Sequence, residues 1–155
     1  MKQLSTGDFD RLSTHIPDFV GAIPCDAPTP NLKRYSIIMN TDNHREDGEH
    51  WVAMQIKPKT LTFVDSFGRN PSDVSFPSDF RRAVKRLSKG RRLIYNHHLI
   101  QALNSNACGY FSIFFLDRLA LNKSMRMIGK AFDNNLDDLA KNDQFVVKYY
   151  KKNFM

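Results

Sequence analysis

The chain has 155 residues, 41% hydrophobic and 12% aromatic, and this make-up is that of one folded domain, residues 1–155, and not of a disordered segment. Its net charge is +7, from 23 Lys and Arg against 16 Asp and Glu, which favours anionic partners. Two cysteines, Cys25 and Cys108, make no disulfide framework and suit a reducing compartment. No apolar run approaches the roughly 18 residues of a membrane span, and the mixed charged and polar start does not read as a secretory signal. From the N-terminus, Ser5 or Thr6 caps a short helix whose apolar stripe is Phe9, Leu12 and Ile16. Pro17 and Gly21 punctuate, and the proline-rich Ile23–Asn31 reads as an extended surface segment carrying Cys25, either a spectator thiol or a redox site. Tyr35–Met39 is a strand that ends at Asn40-Thr41, followed by a polar loop, Asp42–Glu49, next to the site described below.

Two further strands follow, Gly48–Met54 and Thr60–Gly68, joined by a hairpin connection at Lys57-Pro58-Lys59. His50 opens the first and Asp65 closes the second. In an antiparallel pair those ends lie side by side, so a carboxylate can hold one imidazole nitrogen while the other takes a proton. His44 is a solvated loop histidine, because no cysteine or carboxylate cluster completes a metal site with it. His97-His98 point to opposite faces of a strand and chelate poorly; His15 carries no functional reading, and no metal is expected.

Asn70–Pro77 is a loop, and Asp79–Leu87 is a helix with Ser78 as its N-cap. Arg81, Arg82, Lys85, Arg86, Lys89, Arg91 and Arg92 crowd this helix and its exit. That patch is either a solvated face or a site for a phosphate backbone read without regard to sequence. Leu93–Tyr95 is a strand leading to Gln101. Asn104-Ser105-Asn106 then supplies N-cap residues for a buried helix with the spacing Phe111, Phe114, Phe115, Leu119. Cys108 falls in its first turn, where unpaired N–H groups and the helix dipole favour a thiolate, and small Ala107 and Gly109 leave the sulfur open. A lone cysteine there is more often core. With His50 and Asp65 the set is that of thiol nucleophilic catalysis. Ser124–Phe132 and Leu136–Tyr150 read as two more helices, the second with Leu136, Leu139, Val146 and Tyr150 as its stripe.

The stretches Asn40-Thr41, Gly48–Trp51, Phe63–Gly68, and Gln101 with Asn104–Gly109 resemble, in order, the adenovirus endopeptidase (adenain) family, and more distantly the proteases that process ubiquitin-like proteins. The likeness runs from about Tyr35 to Leu116 and more loosely through Asn142–Phe154. It implies an α+β, papain-like fold: a mixed sheet of about four to five strands packed with helices, with the catalytic cysteine at the N-terminus of a central helix. It implies Cys108 as nucleophile, His50 as general base, Asp65 as the group that orients His50, and Gln101 as an oxyanion donor beside the Cys108 N–H. Asn40, Gly48, Glu49 and Trp51 are then the substrate-binding residues. The family usually carries Glu where this chain has Asp65, a departure that leans toward the proteases of ubiquitin-like proteins and keeps the chemistry.

The function this implies is a cysteine endopeptidase of virion precursor proteins, monomeric, in the host nucleus and virion. It needs no cofactor for the chemistry, and takes double-stranded DNA and an activating peptide as cofactors by resemblance. Family members hold that peptide by a disulfide, and the corresponding region here, Ser88–Arg91, has no cysteine. A protease of ubiquitin or a ubiquitin-like modifier, an effector-type acetyltransferase that uses the same triad, and a non-enzymatic basic virion protein are the alternatives.

Overall fold

Five strands lie side by side in sequence order in the computed structural model, which describes residues 1–155. They are β1 (Phe19–Pro24), β2 (Tyr35–Asn40), β3 (Trp51–Ile56), β4 (Thr60–Val64) and β5 (Arg92–Tyr95). β2, β3 and β4 are antiparallel neighbours, while β1 runs parallel to β2 and β5 parallel to β4. The helices are α1 (Thr6–Asp10), α2 (Ser78–Ser88), α3 (Cys108–Ala120), α4 (Met125–Gly129) and α5 (Leu139–Phe154), with 3₁₀ turns at Arg11–Thr14 and Leu136–Asp138. The architecture is the α+β mixed sheet expected from the sequence.

The sheet is covered on both faces, which is why β2 and β3 read as nearly continuous apolar runs and not as alternating ones. Alternate residues still part to opposite sides. Ile38, Trp51, Ala53 and Val64 join the core that holds α3. Ile37, Met39, Val52, Met54 and Phe63 join a second core beneath α2 with Phe76, Phe80 and Leu87. α3 is buried all round its first two turns, from Cys108 to Leu116. Each fully buried Phe on it, such as Phe111, contributes about 2–3 kcal/mol. The N-terminal segment closes over α3. Ser5 caps α1 through a reciprocal capping box with Asp8, and Phe9, Leu12 and Ile16 are all buried.

Several boundaries differ from the sequence expectations. The stretch expected to start an extended surface segment is partly strand: β1 reaches Pro24 and pairs with β2 across a register shift between Phe19 and Ala22. Gly21, at φ +127°, sits in that irregularity, and it breaks the alternation that would have revealed the strand. α3 begins at Cys108, with Ala107 before it and no side-chain cap, so Ser105 and Asn106 belong to the preceding loop. Ser78 lies inside α2, which Pro77 precedes. α4 stops at Gly129, short of Phe132. Leu136 is 71% exposed in a 3₁₀ turn that the Asn135 side chain caps, so the buried stripe of the last helix starts at Leu139.

One turn fixes how the site-bearing loops stack. Gly68, at φ +73°, closes the turn after β4 by donating its N–H to the Asp65 carbonyl at 2.8 Å. Ile100 N–H and Gln101 N–H donate to the Ser66 carbonyl from the neighbouring segment. A Cβ on Gly68 would lie 2.5 Å from the His98 carbonyl carbon, a backbone atom that cannot swing away. Gly68→Ala is therefore expected to destabilise the fold by about 2–4 kcal/mol, measured by chemical denaturation of both forms.

Candidate active site

His50 immediately precedes β3 and Asp65 immediately follows β4. The antiparallel register that pairs Ala53 with Val64 brings these two strand ends together. His50 Nε2 and Asp65 Oδ1 are 2.6 Å apart, both side chains buried. With Nε2 turned to the carboxylate, Nδ1 is the nitrogen left for another partner. Cys108, at the start of α3, lines the same cleft of about 260 Å³ as His50 and Gln101. The helix N-terminus adds its positive potential at the sulfur.

Burial pushes the His50 pKa down, but hydrogen bonding to Asp65 and Cys108, and the charge on both, outweigh it and raise the ring to about 9. Asp65 shows the opposite balance. Burial would raise its pKa, yet hydrogen bonds from His50 and Arg69 and their positive charge hold it below the ordinary carboxylate value. Arg69 donates both its backbone N–H (3.1 Å) and its Nε–H (2.8 Å) to Asp65 Oδ2. Asn96 clamps the backbone at the same residue: its Oδ1 accepts the Asp65 N–H at 3.1 Å and its Nδ2 donates to the Asp65 carbonyl at 2.6 Å. Phe67 stacks on the His50 ring at 5.0 Å between centroids.

Gln101 is buried and lines the same cleft. Its Oε1 accepts from the Ser66 hydroxyl, and its Nε2 donates to the Ser105 carbonyl (2.8 Å) and hydroxyl (3.2 Å). The loop between Gln101 and Cys108 is in turn held by α5. Asp143 Oδ1 accepts the Ala102 N–H at 3.2 Å and hydrogen-bonds Ser105; burial is the main cause that raises the Asp143 pKa. Asn142 Nδ2 donates to the Ile100 carbonyl at 3.0 Å.

Of the residues expected to bind substrate, Glu49 lines the cleft. Asn40 Oδ1 accepts from Asp42 N–H and Glu49 N–H, closing the 42–49 loop, and Gly48 packs at φ +85° against the Asn40 amide. Trp51 lies in the α3 core, donating its indole N–H to the Leu4 carbonyl at 3.3 Å and meeting Phe9 edge to face. None of these three lines the cleft, contrary to the expectation from the sequence: their side chains or backbone are taken up by the 42–49 loop and the α3 core. Sequence reasoning gave no individual site role to Phe67, Arg69, Asn96, Ser66, Ser105 or Asp143, although Ser66, Phe67 and Ser105 stand in the stretches that carry the resemblance. Among the other three, Arg69 left a readable signal, as a cation four residues after the acid. Leu103, 70% exposed, also lines the cleft.

The other singled-out residues lie apart. His44 pairs with Asp26 in the exposed loop, His97 stacks on Tyr95, and His15 meets Phe154 edge to face. Cys25 is buried in the α2 core, and burial pushes its thiol up to about 11. In the basic stretch, Arg82, Lys85, Arg86, Lys89 and Arg92 are exposed. Arg91 instead donates to the Lys57 and Leu87 carbonyls, Arg81 to the Phe76 carbonyl, and Arg82 pairs with Asp79. Two of the seven cationic side chains are therefore tied to backbone carbonyls and a third is paired with a carboxylate, so fewer are free to turn toward a ligand than the sequence count suggests. An open groove of about 650 Å³ runs along α2 past Arg81, Arg82 and Lys85.

A model of the adenovirus endoprotease family matches residues 19–152. The protease of equine adenovirus B serotype 2 is 32% identical over 121 residues, 72% of this chain and 57% of that protein. The protease of bovine adenovirus 4 is 30% identical over 131 residues, 76% of this chain and 62% of that protein. The chain thus spans less than two thirds of the length of these relatives. The crystal structure of an ASFV protease shares the fold, with a TM-score of 0.50 and 17% identity over 78% of this chain and 44% of that one.

The raised His50 pKa predicts a pH-dependent stability. The folded state binds the His50 proton more tightly than the unfolded chain, whose value is 6.5. The resulting stabilisation is complete below pH 6.5 and is lost as pH rises through about 9. The unfolding free energy should fall by on the order of 3 kcal/mol across that window, and His50→Gln should remove this component when both are followed by denaturant titration at a series of pH values.

Proposed function

Because the chain belongs to the adenovirus endoprotease family, we propose that it is a cysteine endopeptidase with Cys108 as nucleophile, His50 as general base, Asp65 as orienting carboxylate and Gln101 as oxyanion donor. One observation carries this reading: the buried His50–Asp65 pair opens onto the cleft that holds Cys108 at the start of α3. The Cys108 proton passes to His50 Nδ1, or already rests there as a thiolate–imidazolium pair, which the raised His50 favours, and the sulfur bonds to the substrate carbonyl carbon. The oxygen that gains the electron pair is met by the Cys108 N–H and by a Gln101 Nε2–H that turns from the Ser105 hydroxyl. Collapse breaks the C–N bond, and His50 delivers its proton to the leaving amine. Water, deprotonated by His50, then attacks the thioester, releasing the acid and returning the thiol.

By family membership the substrates are virion precursor polypeptides, met in the nucleus and in the assembling virion by a monomeric enzyme. The exposed Arg82, Lys85 and Arg86 beside the α2 groove support a second role, non-specific binding of double-stranded DNA. An activating peptide, if one acts here, is held without a disulfide at Ser88–Arg91, which has no cysteine.

Cys108→Ala is expected to abolish peptide cleavage with the fold intact, and turnover by the purified variant would refute the assignment. Gln101→Ala should lower kcat by about 10²–10³ with a smaller change in KM, and Asp65→Asn should weaken activity without abolishing it. Modifier conjugates, run beside virion precursors, separate the modifier-protease reading. For DNA, affinity should fall steeply with salt, by about 0.9 log units per log unit of salt for each phosphate contacted. Arg82→Glu, Lys85→Glu and Arg86→Glu together should remove most of it while cleavage of a short peptide persists. Binding that is absent at low salt, or indifferent to salt, rules the role out.

A further inference from the structure

We propose that Arg69 is a positioning residue of the His50–Asp65 pair: it keeps the buried carboxylate ionised and fixed whether or not the imidazole is protonated, so that His50 can release its proton to the leaving amine. The inference rests on the reading of His50 as the base. Asp65 is wholly removed from water, and its two oxygens are divided between two cations of different kinds. Oδ1 meets His50 Nε2 at 2.6 Å, a group that changes charge during the reaction. Oδ2 takes two donors from Arg69, at 3.1 and 2.8 Å, and a guanidinium does not titrate. A buried carboxylate without a counter-charge is strongly disfavoured. If His50 were its sole cation, each loss of the imidazole proton would strand the charge, and the site would hold that proton on the ring. His50 is already raised to about 9, and a further rise would make the ring a still weaker proton donor to the leaving amine.

The guanidinium is itself held in place. It lies 3.8 Å from the Phe76 ring centroid and 5.5 Å from that of Phe67, and its Nη1 donates to the Ser75 hydroxyl at 3.2 Å. Phe67 in turn stacks on His50, with 17° between the rings. Arg69 therefore touches the pair twice, through the carboxylate and through the aromatic ring against the imidazole. The groups facing Asp65 and His50 from the surrounding elements are Cys108 on α3, Asp73 on the loop after Arg69, Glu49 at the cleft, and the neutral amide of Asn96 beyond β5. None of these supplies a permanent positive charge, which leaves that part to Arg69.

The test is an NMR titration of the His50 imidazole in the full chain, together with the pH profile of kcat and KM on a peptide substrate. In Arg69→Met the His50 midpoint should move up by about one unit, and kcat should fall by about tenfold or more with little change in KM. Arg69→Gln, which keeps a neutral donor and guards against a Met variant that does not fold, should show the same upward shift, and Arg69→Lys should return the midpoint toward the wild-type value. An unchanged or lowered midpoint in the Met or Gln variant overturns the proposal, even if activity falls. A shifted midpoint in a chain whose wild-type form cleaves no peptide would instead fault the peptidase reading and leave the role of Arg69 standing.

Discussion

The burial of one carboxylate, Asp65, constrains the whole cleft. Taking an isolated charge out of water costs several kcal/mol even after the protein relaxes, so every polar atom of this residue needs a partner. The carboxylate has His50 and Arg69, and the backbone N–H and C=O have the Asn96 amide. Each partner comes from a different segment: the start of β3, the turn after β4, and the exit from β5. Satisfying Asp65 therefore assembles three loops at one end of the strands, where α3 also begins.

Topology explains why these segments meet there. β3 and β4 are antiparallel, so the start of one and the end of the other lie at the same end of the sheet. β5 runs parallel to β4, so the chain leaves it at that same end and passes the Asp65 turn on its way to α3. The pass is tight. Gly68 lies against the His98 backbone, and the Ser66 carbonyl receives the N–H groups of Ile100 and Gln101. Gln101 is thereby held at the cleft by a backbone bond as well as by those of its own side chain. The remaining slack, between Gln101 and Cys108, is taken up from behind by Asn142 and Asp143 of α5. The last helix thus has a part in shaping the cleft although none of its residues lines it.

Much of this was legible in the residues. The β3–β4 hairpin showed because β-branched and aromatic residues flank Lys57-Pro58-Lys59, and a hairpin fixes which ends are neighbours. From that alone His50 and Asp65 could be placed together. α3 showed through its spacing of Phe111, Phe114, Phe115 and Leu119. What stayed hidden was set by contacts between distant segments. β1 was masked by the irregularity at Gly21 and by Pro24. The start of α3 was misplaced because Ser105, a good cap by type, is engaged with Gln101 and Asp143. The partners of Asp65 sit in turns, where no periodicity marks them. The basic stretch looked uniform in sequence, but Arg91 and Arg81 donate to backbone carbonyls, and no count of charges separates those from the exposed ones.

Gly109 shows how a residue can be correctly singled out for an incomplete reason. In sequence, a small residue beside Cys108 suggests an open approach to the sulfur. In the fold, a Cβ there would lie 3.0 Å from the Phe9 ring and 3.1 Å from Leu4, so the glycine makes room for the N-terminal segment. That segment is pinned on both sides of the contact, by the Tyr110 hydroxyl donating to the Lys2 carbonyl at 2.7 Å and by the Trp51 indole donating to the Leu4 carbonyl. Gln3, between the two pinned carbonyls, is brought to the cleft beside Cys108. The approach to the sulfur is therefore set by how closely the first residues seat on α3, and the missing side chain at Gly109 is what permits that seating. Packing of the N-terminal core and the shape of the cleft are one constraint, because the same few residues satisfy both.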